Sequence, residues 1–289
     1  AAPAPAPTAP DDMEISVTLR RLKNGKAPGP NGIYNEHLKY GGPEMVKALQ
    51  TVLALTWQEG LPESCKVTDF YPIPKGKGGD RASDKRGIQV LDKLALVKAK
   101  ALGDRLTNCN ENSRRVSEMQ AAFRPGRGCR DQRATLQLLV DESLERGVPL
   151  YTGLFDLSKA FDRVDRKALL AVMLFYGVEV EHVARADDLL TDTWARIKWG
   201  GLRSDAFLIN WGVQQGSPAS NPEWNLFAQI IIDDMLKELG PDVGVEVFWH
   251  VDGQLHRGAR PSAAAVPTRQ IVLLLADDIT VTSSTEEGL

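Results

Sequence analysis

At 289 residues the chain can bury a sizeable core and hold more than one lobe. Its 43% hydrophobic and 25% charged residues are an ordinary globular mixture, and a net charge of −3 does not by itself point to nucleic acid. No apolar run approaches the ~18–20 residues of a membrane span, and no basic segment followed by an apolar one marks a signal peptide.

Charge is distributed unevenly. Residues 1–150 carry 23 Lys and Arg against 18 Asp and Glu, whereas residues 151–289 carry 12 against 20. Such a split suits a basic lobe that holds phosphates beside an acidic lobe that holds metals, although solvated faces produce similar imbalances. Cys65, Cys109 and Cys129 are too scattered for a zinc cluster or a disulfide framework. They fit a reduced intracellular setting, nucleus or cytoplasm, rather than secretion.

Ala1 to Pro10 alternates Ala and Pro, so residues 1–12 are expected to be a disordered lead-in. Residue 1 is not Met, which suggests a piece of something longer or a processed product. Ile15, Leu19 and Leu22 describe a short amphipathic helix that Gly25 can end. Lys26 to Asn35 reads as a loop. Pro43 opens a helix through Leu49 and Leu53 that Gly60 closes. Phe70 to Pro74 reads as a short edge strand because of its prolines. Gly76 to Arg81 reads as a tight turn, Ile88 to Leu106 as a helix, and Asp131 to Arg146 as a helix stopped by Gly147.

The apolar run Leu150 to Phe155 reads as a buried strand that ends in Asp156. Helices follow over Asp165 to Tyr176 and Val180 to Trp194. Gly200-Gly201 predicts a hairpin between residues 196–199 and 206–209. Asn221-Pro222-Glu223 is a good start for a helix running to about Leu239. Val243 to His250 and Gln254 to His256 read as a second hairpin, and Arg257 to Thr268 as a loop. Ile271 to Ala276 is a second apolar strand, ended by Asp277 and Asp278, and Ile279 to Thr282 resumes strand-like alternation. Ser283 and Glu286 have capping-box spacing, so another helix is expected to begin where the chain stops.

Two acidic strand ends can cooperate only if their strands are neighbours in one sheet. Carboxylates so placed suit two divalent cations clamping the oxygens of a phosphoryl transfer. Taken singly, an Asp after a strand is more often a turn or helix cap.

Phe155-Asp156-Leu157-Ser158-Lys159-Ala160-Phe161-Asp162, then Gly212-Val213-Gln214-Gln215-Gly216-Ser217-Pro218, then Ala276-Asp277-Asp278 come in one order. They resemble the three palm motifs of reverse transcriptases from non-LTR (LINE-type) retrotransposons. Gly25 to Ile33 resembles the family's entry motif. Pro74-Lys75, Arg86-Gly87-Ile88 and Phe123 to Arg127 resemble its fingers motifs. The likeness runs from about Leu19 to the last residue.

The resemblance implies an α+β right-hand polymerase with an antiparallel palm sheet and packed helices. Residues 13–150 would be fingers with the first palm elements, and residues 151–289 a palm that stops before the thumb. It implies RNA-directed DNA synthesis with Mg²⁺ (two ions, or Mn²⁺) held by Asp156, Asp277 and Asp278. Lys75 and Arg86 would hold the triphosphate of a deoxynucleoside triphosphate, with Gln215 and Gly216 beside it. Phe161 would exclude a 2′-hydroxyl. Arg124 and Arg127 would touch the RNA template, which carries a DNA primer, and no membrane is implied. Departures from the family pattern include Leu275 in place of an aromatic residue, Gln214 in place of Arg, Lys85 in place of Tyr, and the polar Asn221-Pro222-Glu223. A non-catalytic nucleic-acid-binding remnant is the alternative. A group II intron-type maturase is a second polymerase reading. An RNA-dependent RNA polymerase fits less well, given Phe161 and Ala276.

Overall fold

Local capping sets the first helices. Asp11 and Glu14 form a reciprocal capping box that starts α1 (Asp12–Arg20). The short α2 (Asn35–Lys39) follows the loop, and α3 (Gly42–Glu59) begins with Pro43 and ends at Gly60, whose φ of 90° only glycine takes without strain. Ile15, Leu19 and Leu22 pack with Leu49, Leu53 and Val97 in one cluster. This computed structural model describes residues 8–76, 81–239, 243–249 and 266–286. The expected turn over 76–81 and the second arm of the later hairpin fall largely outside them, as does most of the Ala/Pro lead-in. Within the lead-in, the Thr8 carbonyl accepts a hydrogen bond from Arg105.

The chain forms two compact units, and neither is continuous: one comprises residues 1–113 and 161–227, the other 114–160 and 228–289. The expected lobes, by contrast, were continuous.

The first unit holds a five-stranded sheet in which β2 (Lys85–Val90), β1 (Val67–Pro74), β4 (Thr193–Trp199) and β5 (Leu202–Arg203) lie in that order, and β6 (Phe207–Ile209) also pairs with β4. Here β1 is an interior strand, not the expected edge. Its prolines are tolerated because β4 pairs only with residues 67–70, short of Pro72 and Pro74. Residues 85–90 form a strand and not the start of a helix. Asp92 caps α4 (Lys93–Asn112) by accepting from the Leu94 amide. Asp165 likewise caps α6 (Arg166–Phe175), and α7 (Val180–Leu190) stops before Trp194, which belongs to β4. The 206–209 stretch pairs with Thr193–Ala195, not with 196–199.

The second unit holds α5 (Cys129–Arg146), closed by the left-handed Gly147, and two small sheets. One is β3 (Tyr151–Asp156), β10 (Asp278–Ser283) and β9 (Val272–Leu275), in that order and antiparallel. The other pairs β7 (Val245–Trp249) with β8 (Val266–Gln270), so the hairpin partner expected at 254–256 is replaced by residues in the expected loop. Val272, Leu274 and Val281 pack with Ile232. The β3 strand is not buried: it is the sheet edge, with Leu154 76% and Phe155 54% exposed. Helix α8 (Ser220–Glu238) belongs to the first unit up to Phe227 and to the second from Ala228. After Ser283 the described residues bend and form no helix. The three cysteines are free, and among the described residues no helix is long and apolar enough to cross a membrane.

Candidate active-site residues

In the second unit, Asp156 ends β3 directly opposite Asp278, the first residue of β10. The Leu157 amide donates to the Asp277 carbonyl at 3.2 Å, which makes Asp156 and Asp278 a pair without mutual ladder bonds. Such pairs bring Cα atoms to about 4.5 Å and leave side chains on one face. Like charges placed so are destabilising in water alone. Asp277 precedes Asp278 in the turn and is half-buried. Sequence reasoning paired Asp156 with Asp277 first; the register gives Asp278 as the facing partner, because successive strand residues alternate faces. Among the described residues no three His, Cys, Asp or Glu side chains come together to hold a metal. A facing pair of hard carboxylate oxygens still fits Mg²⁺, which takes one or two carboxylates and completes its shell with water and substrate phosphate.

A residue that sequence reasoning missed holds this turn. Ala276 has φ 62°, a left-handed backbone unfavourable for a residue with a Cβ. Fully buried Gln120 grips it at both ends: its Oε1 accepts from the Ala276 amide at 3.1 Å, and its Nε2 donates to the Ala276 carbonyl at 3.4 Å. The Met119–Ala121 backbone bonds alongside Leu274, and Gln132 donates to the carbonyls of Met119 and Leu274. The only sequence signal was an amide standing between apolar neighbours.

Arg124 is buried, donating to the carbonyls of Ser117 and Gln120 at 2.7 and 3.0 Å. The expected template contact therefore meets a guanidinium already used within the fold. Arg127 is more exposed and pairs with Glu118.

In the first unit, Lys75 and Arg86 stand on opposite arms of the β1–β2 hairpin, both exposed. Arg86 faces Ile73, and the Lys75 amide bonds to the Asp84 carbonyl, so strand alternation gives the two cations one face. The Gln215 carbonyl accepts from the Gln89 amide at 2.8 Å, stitching the Gln215-Gly216 motif to β2. Gly216 has φ 129°, and a Cβ there would lie 2.3 Å from the Gln89 carbonyl oxygen, so no larger residue fits. Gln215 Nε2 reaches Asp162 at 3.4 Å, and the Val213 amide donates to the Phe161 carbonyl at 2.9 Å. Phe161 is half-buried and stacks on Trp224 with centroids 5.2 Å apart. The structure thus gathers Lys75, Arg86, Gln215, Gly216 and Phe161 in one unit, and Asp156, Asp277, Asp278, Arg124 and Arg127 in the other.

Beside Trp224 lies Glu223, 1% exposed, with neither carboxylate oxygen hydrogen-bonded among the described residues. Burial pushes its carboxyl up to about 8, against the opposing charge of Arg166. Arg166 donates to the carbonyls of Gly212, Ile209 and Leu190 rather than forming an ion pair with it.

The family model described as "Reverse transcriptase (RNA-dependent DNA polymerase)" matches residues 73–289. The Pol polyprotein of the type-2 retrotransposable element R2DM of Drosophila melanogaster is 26% identical over 235 residues, covering 81% of this chain and 21% of that protein. The RNA-directed DNA polymerase from the mobile element jockey of the same fly is 23% identical, covering 74% of the chain and 24% of that protein. The chain therefore spans less than a quarter of either relative. Among solved structures, telomerase from Candida tropicalis with a TWJ fragment of telomeric RNA aligns with TM-score 0.52 at 14% identity, covering 84% of the chain and 40% of that protein. Telomerase from Candida albicans with such a fragment gives 0.51 at 12%, covering 85% and 43%. These likenesses show a right-hand polymerase fold of class α+β. With its motifs in order and well over half its length matched, the chain belongs to the reverse transcriptase family, and its sequence relatives are non-LTR retrotransposons.

Proposed function

We propose that the chain is the catalytic core of an RNA-directed DNA polymerase, a retrotransposon reverse transcriptase working by two-metal nucleotidyl transfer. The observation that carries the reading is the facing pair Asp156 and Asp278, with Asp277 in the adjoining turn. Asp156 and Asp278 would hold Mg²⁺, or Mn²⁺ in its place, with Asp277 beside them. Held there, divalent cations would supply neutralisation of the charge that builds up on the reacting oxygens. The primer 3′-oxygen bonds to the α-phosphorus of a deoxynucleoside triphosphate as the bond to pyrophosphate breaks. Lys75 and Arg86, a point charge and a planar fork on one hairpin face, suit the triphosphate. Gln215 and Gly216 suit the sugar and base pair beside it. The hairpin is assigned to the fingers and the carboxylate sheet to the palm. Arg127 is the better template contact, with Arg124 holding its loop.

Phe161 follows Asp156 by five residues, and its ring is braced by Trp224, so it cannot simply yield to an extra oxygen. Primer extension on an RNA template is the test, in a complete protein. Asp156→Ala should abolish synthesis. Phe161→Ala should raise ribonucleotide use relative to deoxynucleotide use about tenfold or more, on the order of 1.4 kcal/mol of lost discrimination. An unchanged ratio would make Phe161 core packing alone. No extension by the parent protein would leave a nucleic-acid-binding remnant.

A further inference from the structure

The first turn of α8 has no side that faces water. Pro222, Glu223, Trp224, Asn225 and Leu226 are all buried, and together they exceed one turn of helix. A side chain there cannot reach solvent by changing rotamer, so the turn must move as a body. Glu223 is the residue among these five that ionises, and neither of its carboxylate oxygens is hydrogen-bonded among the described residues.

The surroundings suit a neutral carboxyl. Arg166, on α6, is the charged group that acts on Glu223, and its donors are committed elsewhere. It donates to the carbonyls of Leu190, Ile209, Trp211 and Gly212 and to the Thr193 hydroxyl. Turning it toward Glu223 would strand those acceptors. On the α4 side the contact is a neutral amide, Asn110, which donates to the Pro222 carbonyl at 3.5 Å. The amino end of α8 favours a carboxylate, but burial opposes it more strongly and raises the group to about 8.

The next residue couples this carboxyl to the sugar gate. Trp224 stacks on Phe161 with planes 23° apart, and it also touches Phe227 at 6.3 Å between ring centres. The Phe161 main chain is clamped: its carbonyl accepts from the Val213 amide, and a Cβ on Gly212 would lie 2.7 Å from that oxygen. With its backbone held, the Phe161 ring takes its place from Trp224.

We propose that Glu223 is a positioning residue for Phe161, acting through Trp224: the neutral carboxyl holds the ring in place, and the carboxylate releases it. This rests on the polymerase reading, in which Phe161 excludes the 2′-hydroxyl. An ionised Glu223 must be hydrated. The α8 turn shifts to admit water, and Trp224 shifts with it. Exclusion of ribonucleotides therefore weakens as pH rises through about 8. The polar Asn221-Pro222-Glu223 segment, a departure from the family pattern, thus acquires a use.

Primer extension by a complete protein on an RNA template, with ribo- and deoxynucleoside triphosphates competing, reads this as a ratio in which pH effects common to both substrates cancel. Between about pH 6 and 9 the parent's relative ribonucleotide use should rise about tenfold. Glu223→Gln, isosteric and neutral, should keep the parent's low-pH ratio throughout. Trp224→Ala should raise the ratio at every pH. Parallel ratio curves for the parent and Glu223→Gln would overturn the proposal, as would a Trp224→Ala protein that discriminates like the parent. A second readout needs no catalysis. In protein labelled with fluorotryptophan, the fluorine resonance missing from Trp224→Phe reports this ring. It should move with pH in the parent and stay fixed in Glu223→Gln, and a fixed resonance in the parent would also overturn the proposal. If the resonance moves as expected but no primer is extended, the coupling of Glu223 to Trp224 stands and the polymerase reading fails.

Discussion

Glu223 enters the fold as a carboxyl group that burial raises from its ordinary 4.5 to about 8. The folded chain therefore keeps a proton that the unfolded chain releases. Its contribution to stability is full below about pH 4.5 and is lost as pH rises through about 8, a loss of at most a few kcal/mol. Glu223→Gln, neutral at every pH, should flatten melting temperature against pH between about 5 and 9, and parallel curves for the two proteins would refute the burial argument. Gln120 offers a second test at this scale. Gln120→Ala leaves the left-handed Ala276 unsupported, and should lower kcat of primer extension about tenfold or more while KM for nucleotide changes little. A purely structural role would lower the melting temperature with kcat per folded molecule unchanged. Added Mn²⁺ should restore part of the Gln120→Ala activity if carboxylate placement is what is lost.

Between elements, the first unit is tied by one charged group. Asp188, on α7, accepts from the Leu61 amide past the end of α3 and pairs with Lys66 at 3.0 Å and Lys98 of α4 at 2.6 Å. Burial works to raise its carboxyl, but the hydrogen bond and charge of Lys98 outweigh this and hold it below the usual range. The Lys98 side chain is fully buried. Asp188→Ala strands that ammonium and should destabilise the unit by about 3–5 kcal/mol in denaturant unfolding; a cost under about 1 kcal/mol would show that water reaches Lys98. The elements legible in the sequence are those with local punctuation. Gly60 and Gly147 stop α3 and α5, and Asp165 caps α6, all by contacts within a few residues. The β2 strand was misread as helix because Ile88, Leu91 and Leu94 also fit helical spacing, and Asp92 decides the matter only if recognised as the cap. The edge position of β3 and the interior position of β1 depend on partners more than 100 residues away, which no local pattern encodes. The carboxylates were legible by type and order, but which Asp faces Asp156 depended on a register that only the turn at Ala276 settles.

Across the molecule, the charge contrast between the two halves of the sequence largely dissolves. The first unit carries 23 Lys and Arg against 22 Asp and Glu, because it takes segments from both halves. Any attraction for polyanions would thus reside in local groups such as Lys75 and Arg86, not in a basic lobe. The same interleaving predicts how fragments behave. Residues 1–113 contain β1 and β2 but not β4. Alone, they should melt without a cooperative transition by circular dichroism, and adding residues 161–227 should restore one. A sharp transition for 1–113 alone would mean that α1 to α4 suffice.

The parallel pairing of β1 with β4 joins Val67 to Trp194. On a ribosome adding about 5–20 residues per second, β1 emerges roughly 6–25 seconds before its partner. Throughout that interval Val67 to Phe70 present an open edge of unpaired amides and carbonyls, ready to pair with whatever strand is near. The order of synthesis thus leaves the newborn chain most prone to aggregation before β4 is made, and a chaperone that shields extended apolar segments would act there first.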